Sequence, residues 1–344
     1  MSLSSKITFE IPRRLVNSRL DVALKTLVQE RYPKKIFSRG LANKCIQDGR
    51  VLLGGKKRQS DFLVHLHDVL ECFEKDLFPK DAVLGALVPT TDIPVLFEDE
   101  HIVVIDKPAG LQMHPAGNLE KETVAHWIVG KYPLAQGVGE DVLRPGIVHR
   151  LDKETSGIVV IAKTKEAFVS MKELFQKRMI RKTYIALVYG HMPEREGKIQ
   201  KPISRRSGEL KRFVVEKGKE SQEARDAITE YTVLIRYENF DLVEARPKTG
   251  RTHQIRAHFA SLGCPLVGDK TYTFKSLRRE NTLFPKRHLL HATKLVFNLF
   301  SKQYDMIAPL PDDFQAIVKS MQKGSVFCVP RTYFSGIALG LTKE

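Results

Sequence analysis

Between residues 93 and 297 the chain carries seven short runs rich in β-branched and aromatic residues, at 95–97, 102–105, 157–162, 184–189, 227–235, 242–245 and 294–297. Only two stretches there have helical periodicity, 166–176 and 253–262. A doubly wound parallel sheet needs a crossover helix between successive strands, so this imbalance argues against one. The pattern predicts an α+β domain, a mostly antiparallel mixed sheet with helices packed on it. Its first two strands flank the acidic turn Glu98-Asp99-Glu100 and run into Lys107-Pro108-Ala109-Gly110, a hairpin leading to a loop.

Ahead of this domain lies a small basic module. Residues 1–80 hold 16 Lys or Arg against 9 Asp or Glu, in a chain whose net charge is +16. Leu20, Leu24, Leu27 and Val28 predict a helix with Ser18 as candidate N-cap, and a second helix is expected over 38–47, stopped by Asp48-Gly49. A strand at 50–53 then enters a Gly54-Gly55 turn. The segment from Gly49 to Lys57 is not a phosphate loop, because its lysine falls one residue late and no Ser or Thr follows. Pro79, Pro89 and mixed polar residues mark a linker. The expected division is 1–75 for the basic module, 76–92 for the linker, 93–320 for the larger domain and 321–344 for a tail without a motif.

Four cysteines without a C-x-x-C pair suggest neither a zinc knuckle nor a disulfide framework, which fits a reducing cytoplasm. No run of eighteen apolar residues and no signal-peptide pattern occur, so membrane association is not expected. The positive charge instead points to a polyanion, with nucleic acid first.

Residues 144–157 read as a polar loop delivered by a strand. Within it Asp152 sits among Arg150, Lys153 and Thr155-Ser156-Gly157, where cations and backbone donors favour the ionised carboxylate, a usable nucleophile. The same residue could instead close an Asx turn onto Thr155 or Ser156. Residues 201–219 hold seven cations, including Arg205, Arg206, Lys211 and Arg212, against two acids, a run suited to phosphate or simply to solvent. His149, His253 and His258 have no metal-site spacing, so no metal is expected.

His149-Arg-Leu-Asp-Lys-Glu-Thr-Ser-Gly157 resembles the signature of the RluA-type pseudouridine synthase family, H-R-L-D-x-x-T-S-G, with every fixed position filled. Four further blocks follow the family order: 95–110 with Met113-His114-Pro115, 181–188 around Tyr184, 249–269 around Arg251 and Arg256, and Leu290-His291-Ala292. After Phe297 the family commonly has His-Pro, where this chain has Asn298-Leu299. The module before residue 75, with Arg19, Arg39, Lys44 and Arg50, resembles the S4-like RNA-binding domain.

The resemblance implies isomerisation of uridine to pseudouridine in RNA, without a cofactor. It makes Asp152 the catalytic aspartate and Tyr184 the active-site tyrosine, which could stack on uracil or move a proton. Arg256 becomes the cation paired with Asp152, and Arg150 takes part in flipping the base. Arg251 is a second cation of the same block, suited to phosphate. Large-subunit ribosomal RNA is the expected substrate and transfer RNA the runner-up. A ribosome-associated binding protein without chemistry is the rival from another class. A monomer is expected.

Overall fold

The computed structural model describes residues 6–33, 37, 39–77, 91–115, 122–205, 212–214, 224–273 and 285–321; for 205, 212 and 213 it describes the backbone alone. The expected tail, 321–344, falls outside these residues except for Met321. Two compact units emerge. The first comprises residues up to 92 together with 112–147 and 162–168, and the second comprises 93–111, 148–161 and 169 onward.

In the first unit, β1 (Lys6–Glu10), β2 (Val51–Leu53) and β3 (Val69–Phe73) form an antiparallel sheet in the order β1-β3-β2. Two helices accompany it, α1 (Leu20–Arg31) and α2 (Arg39–Gln47). The apolar spacing of α1 buries Leu20, Ala23, Leu24, Leu27 and Val28 on one face. Its cap is Arg19 rather than Ser18, whose hydroxyl instead donates to the Leu15 carbonyl at 2.5 Å. Gly54 and Gly55 both take positive φ in a two-residue turn that pairs Leu53 with Lys56. A helical turn, α3 (Glu74–Leu77), extends this unit past the expected start of the linker, because Leu77 is buried in the same core as Leu24 and Cys45. The unit also includes α4 (Val124–Lys131), which Thr123 caps. Six of its eight residues are buried, so it lacks the polar face by which a helix is recognised in sequence.

The second unit is built on a nine-stranded sheet among the described residues. Its strands are β4 (Val95–Glu98), β5 (Ile102–Lys107), β6 (Ser156–Ala162), β7 (Arg181–Tyr189), β8 (Glu196–Gln200), β11 (Ile228–Arg236), β12 (Phe240–Pro247), β13 (Leu290–Leu299) and β14 (Lys302–Ile307). The order is β4-β5-β6-β13-β7-β12-β11-β8, with β14 paired to β13. A separate ribbon pairs β9 (Ile203–Arg205) with β10 (Arg212–Val214). Where the register is defined, the main sheet is antiparallel except for β13 on β6, as the mixed pattern predicts.

Alternation along β7 sends Ile185 and Leu187 to one face and Ala186 and Val188 to the other. The first face is covered by Phe314 and Val318 of a C-terminal helix (Asp312–Met321), the second by Ile255 and Phe259 of a helix at Gln254–Ala260. A further helix, Lys165–Gln176, follows β6. No helix among the described residues is long and apolar enough to cross a membrane.

Candidate active site

Asp152 ends up beside Arg256 because several separate stretches of sequence converge on the loop before β6. Thr155, Ser156 and Gly157 each meet the segment 288–292. The Thr155 hydroxyl lies 2.8 Å from Nε2 of His288, and Ser156 Oγ lies 3.0 Å from Nδ1 of His291. Gly157, at φ +113°, lies so close to β13 that a Cβ would sit 2.3 Å from the Ala292 carbonyl oxygen. The Thr-Ser-Gly triplet is therefore a docking edge for the Leu290-His-Ala block.

On the other side, the buried ammonium of Lys107 donates to the carbonyls of Pro108, Leu111 and Lys153 at 2.8, 2.9 and 3.0 Å, and Gly110 N–H donates to the same Lys153 oxygen. Arg287 Nη1 reaches the Glu154 carbonyl at 3.3 Å. Every residue from Lys153 to Gly157 is thus held by the backbone or side chain of residues in 107–110 or 287–292. The turn closes through Thr155 N–H on the Asp152 carbonyl, 3.1 Å, which leaves the carboxylate facing the pocket.

That carboxylate accepts a 3.0 Å bond from Arg256 Nη1. Arg256 is itself buried and forked onto Asp269, with Nε on Oδ2 at 2.7 Å and Nη2 on Oδ1 at 3.1 Å. Asp269 is fully buried, and its Oδ1 also accepts the N–H groups of Thr271 and Tyr272. Burial would raise the Asp269 carboxyl's pKa, but the guanidinium and backbone donors win and lower it. Arg256 feels the mirror effect: burial alone would lower its pKa, and the two carboxylates outweigh that. Two of its nitrogens are fixed by Asp269, so the third is aimed at Asp152.

Asp152 and Arg256 face a pocket of about 520 Å³, and Tyr184, Arg150, Lys182 and Arg251 line it as well. Burial and the nearby Asp152 charge push the Tyr184 phenol well above its ordinary value, so the hydroxyl stays protonated. Arg150 is exposed. Arg251 donates from Nε to the Asp226 carbonyl at 3.1 Å, and it is Arg256 that bonds Asp152. His253 caps the helix in a left-handed conformation, with Nδ1 3.1 Å from the Tyr272 hydroxyl and Nε2 3.8 Å from Asp152.

The remaining cations predicted from sequence are spread elsewhere. Arg19 and Arg39 both bind the buried Asp21 carboxylate, at 3.2 and 3.0 Å, and Arg50 pairs with Asp48 at 3.2 Å. Lys44 lies in the last turn of α2. The backbones of Arg205 and Arg212 are register partners in the β9-β10 ribbon, while Arg206 and Lys211 lie outside the described residues. Among the described residues no group of His, Cys, Asp and Glu comes together as a metal site. Sequence reasoning missed Asp269, although the Gly268-Asp269 pair within the Arg256 block was available as a signal.

Three histidines support the pocket in neutral form. His149 accepts the Val160 N–H at Nε2 and stacks on Phe175, and burial pushes its pKa down to about 3. Burial likewise lowers His288 to about 3 and His291 to about 4. An unfolded histidine titrates near 6.5, so below that pH the unfolded chain binds protons that the native state refuses. The stability that these three neutral imidazoles contribute is therefore expected to be full above about pH 6.5 and to fall towards pH 4, with up to three histidine protons taken up on unfolding. Urea unfolding at a series of pH values checks this, and a flat profile from pH 7 to 5 would contradict it.

The family model described as RNA pseudouridylate synthase matches residues 101–261. An uncharacterized RNA pseudouridine synthase of Aquifex aeolicus is 37% identical over 285 residues, covering 80% of this chain and 83% of that protein. The ribosomal large subunit pseudouridine synthase D of Zymomonas mobilis is 34% identical over 322 residues, covering 90% of this chain and 96% of that one. Among solved structures, human RNA pseudouridylate synthase domain containing 1 superposes with a TM-score of 0.56 at 25% identity, over 71% of this chain and 94% of its own.

Proposed function

Because the chain belongs to the RNA pseudouridylate synthase family and is an isomerase acting on RNA, we propose that it converts uridine to pseudouridine in large-subunit ribosomal RNA with Asp152 as its catalytic group. The observation that carries this assignment is the Asp152 carboxylate, turned into the pocket and held by an arginine that is itself anchored. The ribosomal substrate is supported by relatives such as the Zymomonas mobilis enzyme, whose name specifies that subunit.

The target uridine leaves its stack, and Arg150, exposed at the pocket, is suited to the vacated space or the displaced phosphate. Asp152 attacks the nucleoside or assists departure of the base. The bond from uracil N1 to the ribose carbon breaks, the base rotates on the Tyr184 side of the pocket, and C5 joins the same carbon. C5 loses its hydrogen to solvent and N1 gains one, so atoms balance without a cofactor. Arg256 holds the carboxylate in place through its Nη1 bond. The Tyr184 hydroxyl, held protonated by burial and the nearby Asp152 charge, acts first as a donor. Arg251 and the cations around 205–212 grip phosphate.

Residues 1–75 serve as an S4-like RNA-binding module, a role supported by its helix pair, three-stranded sheet and excess of basic residues. The enzyme works as a monomer in a reducing cytoplasm, and the compartment is supported by the buried free thiols of Cys45, Cys72 and Cys264.

Tritium placed at uracil C5 tests the function directly. Wild type is expected to release it from large-subunit ribosomal transcripts. Release from transfer RNA alone would overturn the substrate. No release from either, nor from immature ribosomal particles, would leave the binding-protein alternative.

A further inference from the structure

The start of β7 and the end of β12 also wall a second groove, of about 470 Å³. Its lining includes Arg178, Arg181, Lys182, Arg246, Lys248 and Lys294, with Asp305 as the carboxylate among the described lining residues. In the β7-β13 register Thr183 opposes Lys294 and Arg181 opposes Val296, so Arg181 and Lys294 share one sheet face. Lys182 alternates to the face of Tyr184 and lines both grooves. A band of cations thus leads from the candidate active site around the strand ends to the opposite face.

Three of the six cations have carboxylate partners: Arg246 on Glu244, Lys248 on Glu230 at 2.9 Å and Lys294 on Asp305 at 3.0 Å. Arg178, Arg181 and Lys182 form no ion pair among the described residues, and Lys182 donates to the Thr249 carbonyl at 3.2 Å. The crowding is felt, since burial and Arg178 together push the Lys182 ammonium down to about 8. Arg178 also occupies a left-handed position, φ +59°, just beyond the helix 165–176, where glycine is the usual occupant. Like charges and a strained arginine both oppose folding, so stability does not account for the cluster.

We propose that this groove is a second phosphate site, which holds the RNA backbone at a distance from the reacting uridine while the pocket holds the flipped nucleotide. It rests on the RNA assignment above. The ligand is phosphodiester backbone rather than base, because among the described residues the apolar lining is Ile180, Pro247 and Val296 and offers no aromatic platform for stacking.

The test is the double variant Arg181→Gln/Lys294→Gln, whose side chains lie outside the catalytic pocket. Binding of a fluorescent large-subunit ribosomal RNA fragment and of a short uridine oligonucleotide is measured across salt concentrations, with turnover alongside. The long RNA is expected to bind about tenfold more weakly, with the slope of log affinity against log salt reduced by about 1.4 for two lost phosphate contacts. Saturated turnover and short-oligonucleotide binding stay unchanged, and Arg181→Lys alone retains affinity. Unchanged long-RNA affinity would overturn the proposal, as would equal weakening on both RNAs. Failure of wild type to release tritium would overturn the functional assignment instead, while the binding comparison would still report on the groove.

Discussion

Asp152→Asn is expected to reduce uridine isomerisation by on the order of 10⁴-fold or more, the scale that follows removal of a group on which the chemistry depends. Asparagine keeps the shape and an acceptor for Arg256 Nη1 but has no charge with which to attack or stabilise the ribose. Arg256 stays forked onto Asp269, so no buried charge is left without a partner and the unfolding midpoint should lie close to wild type. RNA affinity, which depends chiefly on cationic contacts to phosphate, should change by no more than a few fold. Tritium release and equilibrium binding on the same preparation separate the two effects. A fully active variant would remove Asp152 from the mechanism.

A different failure is expected from Asp269→Asn. Asp269 is fully buried and receives two guanidinium and two backbone hydrogen bonds. Neutralising it strands much of the Arg256 charge in the interior, a change that typically costs about 3 to 5 kcal/mol. It also frees the guanidinium to swing, so the folded molecules that remain should turn over much more slowly. Urea unfolding gives the first effect. Turnover per folded molecule, measured well below the unfolding temperature, gives the second. Stability lost with turnover intact would make Asp269 a purely structural anchor.

The contrast between these residues shows what a sequence reveals. Asp152 stands in a loop whose composition alone points to an ionised carboxylate, and the surrounding blocks supply the rest. Asp269 does its work through a guanidinium thirteen positions away, and its place in the Arg256 block marks the residue without revealing that contact. Thr155, Ser156 and Gly157 are legible as a motif, but their reason is not, because His288, His291 and Ala292 lie more than 130 residues downstream.

The same distinction runs through the fold. Runs of β-branched and aromatic residues marked β7, β11 and β12, and helical periodicity marked 165–176 to within a residue. The helix α4 escaped because burial on all sides erased its periodicity, and β14 because an edge strand with polar residues has little apolar pattern to show. The basic residues Arg19 and Arg39 read as RNA contacts in sequence, yet both are tied to one buried aspartate. Charge composition gives the sum and hides the pairing.

The parallel seam between β6 and β13 joins His291 to Ser156, and Arg256 reaches Asp152 across 104 positions. Contacts of such long sequence separation close late, after local helices and hairpins have formed, because the loop entropy must be lost before the contact stabilises anything. No fragment emerging from the ribosome can therefore hold a working site until the strand at 290–299 has been synthesised and docked. Chemistry in this chain thus certifies that a late strand has been made and seated, with only one strand and one helix of the described residues still to follow it.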